Sequence, residues 1–328
     1  MRPPKRLEAP ACRTGSSPQN YATRQRRGRY GPEVVRRACL LAVAVIAACS
    51  GDGDSTPGPS ADQTTTPQTS STSATATTSS PTSSSTTSTT SSTTSTSTTT
   101  APHVADLVTD AVQVVEFGRS VEGRPLVAVE RGTPGGVVVL VIGVIHGDED
   151  AGVAILDRLA TAPVAEGVDL WLVESMNPDG QAARRRTNAN LVDLNRNFPF
   201  GWAPLEEPGG SQYGGTGPAS EPETQAMVGL ISLLQPDLGI WYHQDLFRIA
   251  PGQGRDGELR ARYAELTGLP VLDISGGTYT GVAATWQRRT IEDGIAFIVE
   301  LGASLTEDEA AVHADAVRAL ARDVASGE

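Results

Sequence analysis

The chain has 328 residues, 38 acidic side chains against 26 basic ones, and a formal net charge of −12. Ten of the basic residues but only two of the acidic ones fall within the first 49 positions, which leaves the remainder near −20. A surface this acidic repels phosphate instead of releasing counterions from it, which excludes nucleic acid as a partner. All three cysteines, Cys12, Cys39 and Cys49, lie in the same first segment, so the rest has neither a disulfide nor a thiol nucleophile.

Residues 1–49 read as a lipoprotein signal peptide. A basic stretch leads into the apolar run 38–48, too short to span a bilayer but suited to a signal-peptide core. The run ends in Ile46-Ala47-Ala48-Cys49, a lipobox-like pattern in which Cys49 is the expected lipidation site. Cleavage at the small residues with Cys49 incidental is the alternative. Residues 50–103 form a Ser/Thr/Pro-rich tether, including an unbroken Ser/Thr tract over 82–100, with too little apolar surface to fold. The expected location is extracytoplasmic, with the protein lipid-anchored to the outer face of the cell membrane.

One folded domain is expected over 104–328. Residues 111–116 and 126–129 suggest a hairpin around Ser120–Gly123, and the apolar run 137–145 a buried strand. A helix is predicted over 149–161, with Gly152, Ile155, Leu156 and Leu159 on its buried face. A strand at 168–175 runs into the turn Asn177-Pro178-Asp179-Gly180. Ser220 and Glu223 suggest a capping box for a helix ending near Gln235-Pro236. Strands follow at 238–243 and 296–301, then a helix capped by Thr306 and Glu309 with Val312, Ala316, Ala319 and Leu320 facing the core. Strands interleaved with helices predict an α/β fold, a three-layer sandwich with a mixed, largely parallel central sheet.

Chemistry gathers at the strand ends. His146 and Glu149 follow the strand over 137–145, and His243 ends another, which is where α/β proteins place their sites. Two imidazoles and a carboxylate suit a catalytic zinc, with one position open. Glu300 interrupts an apolar run, costly for a carboxylate unless it is paired or functional, and is a candidate general base. The stretch from Arg184 to Pro199 crowds Arg, Asn and Asp into one irregular loop, suited to recognising an anionic group. His103 and His313 read as surface residues.

Taken in order, His146-x-x-Glu149, Asn177–Gly180, Asn188–Pro199, Ser220-Glu221-Pro222-Glu223-Thr224, His243 and Glu300 resemble the zinc carboxypeptidase family, the relatives of carboxypeptidase A. The short Glu149-to-His243 spacing and the Tyr242-His243-Gln244 context are most similar to its bacterial murein peptide amidase subgroup. The resemblance implies one Zn²⁺ held by His146, Glu149 and His243, with Asp193 orienting a ligand histidine. It implies Asn195 and Arg196 for the substrate's terminal carboxylate, and Arg186 for the scissile carbonyl and oxyanion. Glu300 would be the general acid/base and Tyr279 a mobile tyrosine. The expected partner is a peptide with a free carboxylate, plausibly from the cell wall. Leu191 departs from the family, which has glycine there. Thr285, Arg288 and Arg289 are expected to shape the side-chain pocket. A non-catalytic lipoprotein that binds wall peptides, and a deacylase of N-acyl amino acids on the same fold, are the alternatives.

Overall fold

The computed structural model describes residues 103–274 and 276–327. The expected signal peptide, Cys49 and nearly all of the tether lie outside them. Among the described residues no helix is long and apolar enough to cross a membrane.

Six strands form one sheet in the order β1-β2-β4-β3-β5-β6. They are β1 (Gln113–Arg119), β2 (Pro125–Gly132), β3 (Val137–Val144), β4 (Val168–Ser175), β5 (Leu238–Gln244) and β6 (Ile295–Leu301). The β1–β2 hairpin is antiparallel and β2 meets β4 antiparallel, whereas β4, β3, β5 and β6 run parallel. The predicted mixed, largely parallel sheet is borne out.

Side-chain alternation along the strands makes the three layers. Val139, Val141, Ile240, Tyr242, Phe297 and Val299 point into one core with α2 (Gly152–Thr161), α5 (Gly254–Thr267) and α7 (Glu307–Ser326). Leu140, Ile142, Trp241 and Ala296 point to the other side, where α4 (Pro222–Leu234) and α6 (Ala283–Thr290) pack. Two short helices complete the set among the described residues, α1 (Val104–Leu107) and α3 (Pro178–Ala183). From β3 the chain goes to β4 on one side and then returns to β5 on the other. The carboxyl ends of β3 and β5 therefore flank a topological switch point, the usual crevice of an open α/β sheet.

Several expectations need correction. Helix α2 begins at Gly152, not at Glu149, whose backbone N–H closes a turn on the His146 carbonyl. Ser220 and Glu223 form no capping box: α4 starts at Pro222, and Glu223 instead accepts from the Val121 backbone and the Asn188 amide. The Thr306–Glu309 capping box is present. On α7, Ala316, Ala319 and Leu320 are buried but Val312 is 44 % exposed. Its place toward the core is taken by His313, buried where a surface position was expected, with Nδ1 2.9 Å from the Tyr263 hydroxyl.

Burial holds the His313 imidazole down at about 4. The unfolded chain therefore takes up a proton near the ordinary histidine value, about 6.5, that the folded chain refuses. Stability is full above that value and falls as pH drops from about 6.5 to about 4, by up to about 3 kcal/mol. Denaturant unfolding across this range, compared with His313→Gln, checks it. The stability difference between the two proteins should change over that window, and a constant difference would refute the assignment.

Candidate metal centre and cleft

Register builds the site. His243 and Glu300 are direct partners across β5 and β6, and both lie on the α6 side of the sheet. His146 lies two residues beyond the end of β3, whose Ile142 pairs with Trp241 of β5. Gly147 next to it is required by space, since a Cβ there would come within 2.0 Å of the Gly180 backbone. Asn177 holds this junction closed, its amide donating to the carbonyls of Ile145 and Arg186 while its oxygen accepts from Gly180.

His146, Glu149 and His243 converge as expected, with one ligand atom from each within 4.8 Å of the others. His146 Nδ1 lies 2.8 Å from Glu149 Oε1, His243 Nδ1 lies 3.1 Å from Glu149 Oε2, and the two Nδ1 atoms are 3.2 Å apart. Donors at about 2.0–2.2 Å from a tetrahedral zinc stand roughly 3.3–3.6 Å from one another, so modest expansion of this triangle fits the ion. The chemistry fits as well, because two basic nitrogens aimed at each other and at a carboxylate attract a cation. On the far side of the ring, His146 Nε2 lies 3.0 Å from Asp193 Oδ1. A carboxylate only accepts, so the Nε2 proton belongs there and Nδ1 is left to ligate.

Burial opposes charging of the His146 imidazole, but the Asp193 and Glu149 carboxylates together outweigh it and raise its pKa. His243 shares the Glu149 carboxylate, but burial outweighs that contact and, with the neighbouring His146, lowers its pKa. Arg186 bridges the two acids: Nε and Nη2 donate to Asp193 Oδ2 at 3.0 and 2.8 Å, and Nη1 to Glu149 Oε1 at 3.1 Å. Gln244 binds the edge of the sheet together. Its backbone N–H donates to Glu149 Oε2, its side-chain oxygen accepts from Ala151, and its amide donates to the carbonyls of Gly302 and Ala303.

The cleft beside the trio is lined by Arg186, Asn195, Arg196, Gln212, Tyr279, Thr285 and Glu300, among others. Glu300 is 8 % exposed and its Oε2 has no hydrogen-bond partner among the described residues. Burial, and then the nearby Glu149 charge, push its carboxyl up to about 7. Asn195 is oriented by accepting from the Ala283 N–H. Arg196 is 4 % exposed, yet among the described residues no carboxylate lies within ion-pair distance of it. Tyr279 stands at the rim, 51 % exposed, with its ring 5.1 Å from the Arg196 guanidinium carbon.

The structure therefore brings together His146, Glu149, His243, Arg186, Asp193, Asn195, Arg196, Tyr279 and Glu300. The expected pocket shapers divide. Thr285 lines the cleft with Val282 and Ile298, but Arg288 donates to the Ala296 carbonyl and Arg289 sits over the Phe200 ring, both away from it. Leu191 keeps a left-handed backbone at φ 61°, the conformation that a glycine there adopts without strain. Gln212 went unnoticed in the sequence, and Gln244 was read only as part of the Tyr242-His243-Gln244 context, with no role of its own.

A mixed, largely parallel sheet with a His/Glu/His trio at its switch point is the setting of a metallohydrolase, and the chain belongs to the zinc carboxypeptidase family, whose pattern matches residues 98–245. It is a zinc-dependent hydrolase, as expected. Murein peptide amidase A of Escherichia coli K12 is 32 % identical over 181 residues, covering 52 % of this chain and 74 % of the relative. Carboxypeptidase SOL1 of Arabidopsis thaliana is 37 % identical over 112 residues, 29 % of this chain and 23 % of that one. Among solved structures, murein-tripeptide amidase of Escherichia coli O157 superposes with a TM-score of 0.54 and 29 % identity, over 66 % of this chain and 95 % of that one. Carboxypeptidase A of Helicoverpa armigera shares the fold, with a TM-score of 0.59 at 18 % identity, over 68 % of this chain and 71 % of that one.

Proposed function

We propose that this protein is an exopeptidase that hydrolyses the peptide or amide bond next to a free terminal carboxylate, and that its substrates are cell-wall (murein) peptides. The observation that carries the first part is Arg196, a buried guanidinium without an ion-pair partner among the described residues, in the same cleft as the metal trio and Glu300. A charge so placed is costly unless an anion arrives to meet it. The likeness to murein peptide amidase A supports the second part.

In this reading His146, Glu149 and His243 hold the zinc, and Asp193 keeps His146 in the ligating tautomer. The bound ion supplies Lewis acidity, acidifying water and polarising a carbonyl. Arg196 and Asn195 hold the substrate's carboxylate and so place the scissile bond. Arg186, fixed by Asp193 through two N–H groups, keeps Nη1 toward the trio to meet charge growing on the carbonyl oxygen. Glu300 takes a proton from the attacking water at a carboxylate oxygen and returns it to the leaving nitrogen. Tyr279, beside Arg196, closes over the bound residue.

Two assays separate the parts. Arg196→Ala should raise KM by about 100-fold, the scale of a lost charge-assisted contact of roughly 3 kcal/mol. An unchanged KM would remove the carboxylate from the account. Wild-type protein offered muropeptides beside ordinary dipeptides, with and without chelator, tests the substrate class. Cleavage of dipeptides alone would end the murein assignment. We further propose anchoring through a lipidated Cys49, on the strength of the Ile46–Cys49 pattern. Release of a Cys49→Ala protein from the membrane fraction is the expected outcome.

A further inference from the structure

The loop between the Leu194–Arg196 turn and α4 carries Gln212, a residue outside every motif in the sequence. Its backbone N–H donates to Glu206 Oε2 at 2.8 Å, which anchors the loop without using the side chain. The side-chain oxygen accepts from Arg196 Nη2 at 3.0 Å. A guanidinium has donors only, so this contact fixes which end of the amide is which. Nε2 must be the other end, and it has no hydrogen bond among the described residues, while Gln212 lines the cleft.

Two of the five N–H groups of Arg196 are engaged before any ligand arrives. Nη1 gives one N–H to the Asn195 carbonyl at 2.9 Å and Nη2 gives one to Gln212, while Nε is buried without a partner among the described residues. The two-pronged fork with which arginine normally meets a carboxylate is thus partly spent before substrate arrives. A carboxylate offers about four acceptor sites on its two oxygens, more than the single N–H left on each of Nη1 and Nη2 can meet. The Gln212 amide stands beside that Nη2 with two unused N–H donors.

We propose that Gln212 is a substrate-binding residue of this enzyme, whose Nε2 donates to the substrate's terminal carboxylate next to Arg196. The proposal rests on the carboxylate-anchoring role of Arg196. In effect, an Arg–Gln pair from two separate loops replaces the single arginine fork, and it favours a terminal carboxylate over a terminal primary amide.

Steady-state kinetics of the zinc-loaded enzyme test it, on a substrate with a free terminal carboxylate and on the same substrate ending in a primary amide. Gln212→Ala should raise KM for the acid about tenfold, the scale of one hydrogen bond to a charged group, with kcat within about twofold. Gln212→Glu keeps the shape but sets a rival carboxylate against Arg196. It should raise that KM further and lower the acid-to-amide ratio of kcat/KM by about tenfold or more. KM and ratio unchanged in both variants, while Arg196→Ala still raises KM, would overturn the role of Gln212 alone. An unchanged KM in Arg196→Ala would overturn the underlying carboxylate reading. A matched fall in kcat without a change in KM would also overturn the proposal, since it would mark a disturbance of the catalytic groups and not a lost binding contact.

Discussion

Replacing Glu300 with glutamine is expected to lower kcat by about 10²–10⁴-fold, the usual worth of a positioned acid/base. Zinc content should not fall. Glu300 is not among the three converging ligand groups, and glutamine fills the same space. The metal-free folded protein should if anything gain stability, because Oε2 is a buried oxygen without a partner among the described residues and lies in the field of the Glu149 carboxylate. A neutral amide there removes the repulsion. Loss of activity with gain or retention of stability is the mark of a group kept for chemistry at the expense of the fold. Turnover close to wild type in the glutamine protein would mean that the proton passes through another group.

Replacing His243 with alanine is the second large change. It takes away one of the two facing Nδ1 atoms, and zinc per chain should drop from one to near zero under conditions that saturate the wild type. The loss in affinity should exceed the 10–100-fold typical for an outer partner, which is the expectation for Asp193→Ala. Comparing the two variants by competition with a chelator of known affinity orders the contributions. Activity should follow metal content in both. Full zinc occupancy in the His243→Ala protein would show that the ion sits elsewhere.

Much of this site could be read before the fold was known, because its parts depend on local features. His146 and Glu149 stand three apart at the end of an unmistakable strand, and His243 repeats the placement. The strands themselves were legible from apolar runs, Val168–Ser175 to the residue. What was not legible depended on three-dimensional neighbours. Ser220 and Glu223 have the spacing of a cap, but the Asn188 amide and the Val121 backbone compete for the Glu223 carboxylate and win. His313 looks like a polar residue on a surface helix until Tyr263 offers it a partner within the core. The two middle helices, α5 and α6, have few apolar positions, and each gives buried space to a polar residue, Arg260 in one and Gln287 in the other. Arg288 was a candidate for the cleft because it lies near Glu300 in sequence, yet it turns away to cap a strand carbonyl. Gln212 could not be found at all, since nothing links it to Arg196 except the path of a long loop.

The four contacts made by Gln244 have a mechanical consequence. One residue clamps the metal-ligand carboxylate, the start of the following helix and the segment just after Glu300. Fraying at either segment must break the same clamp, so amide exchange of Ala151 and of the residues around Gly302 should both speed up once that side chain is cut back to alanine, Ala151 the more because its own N–H loses its acceptor.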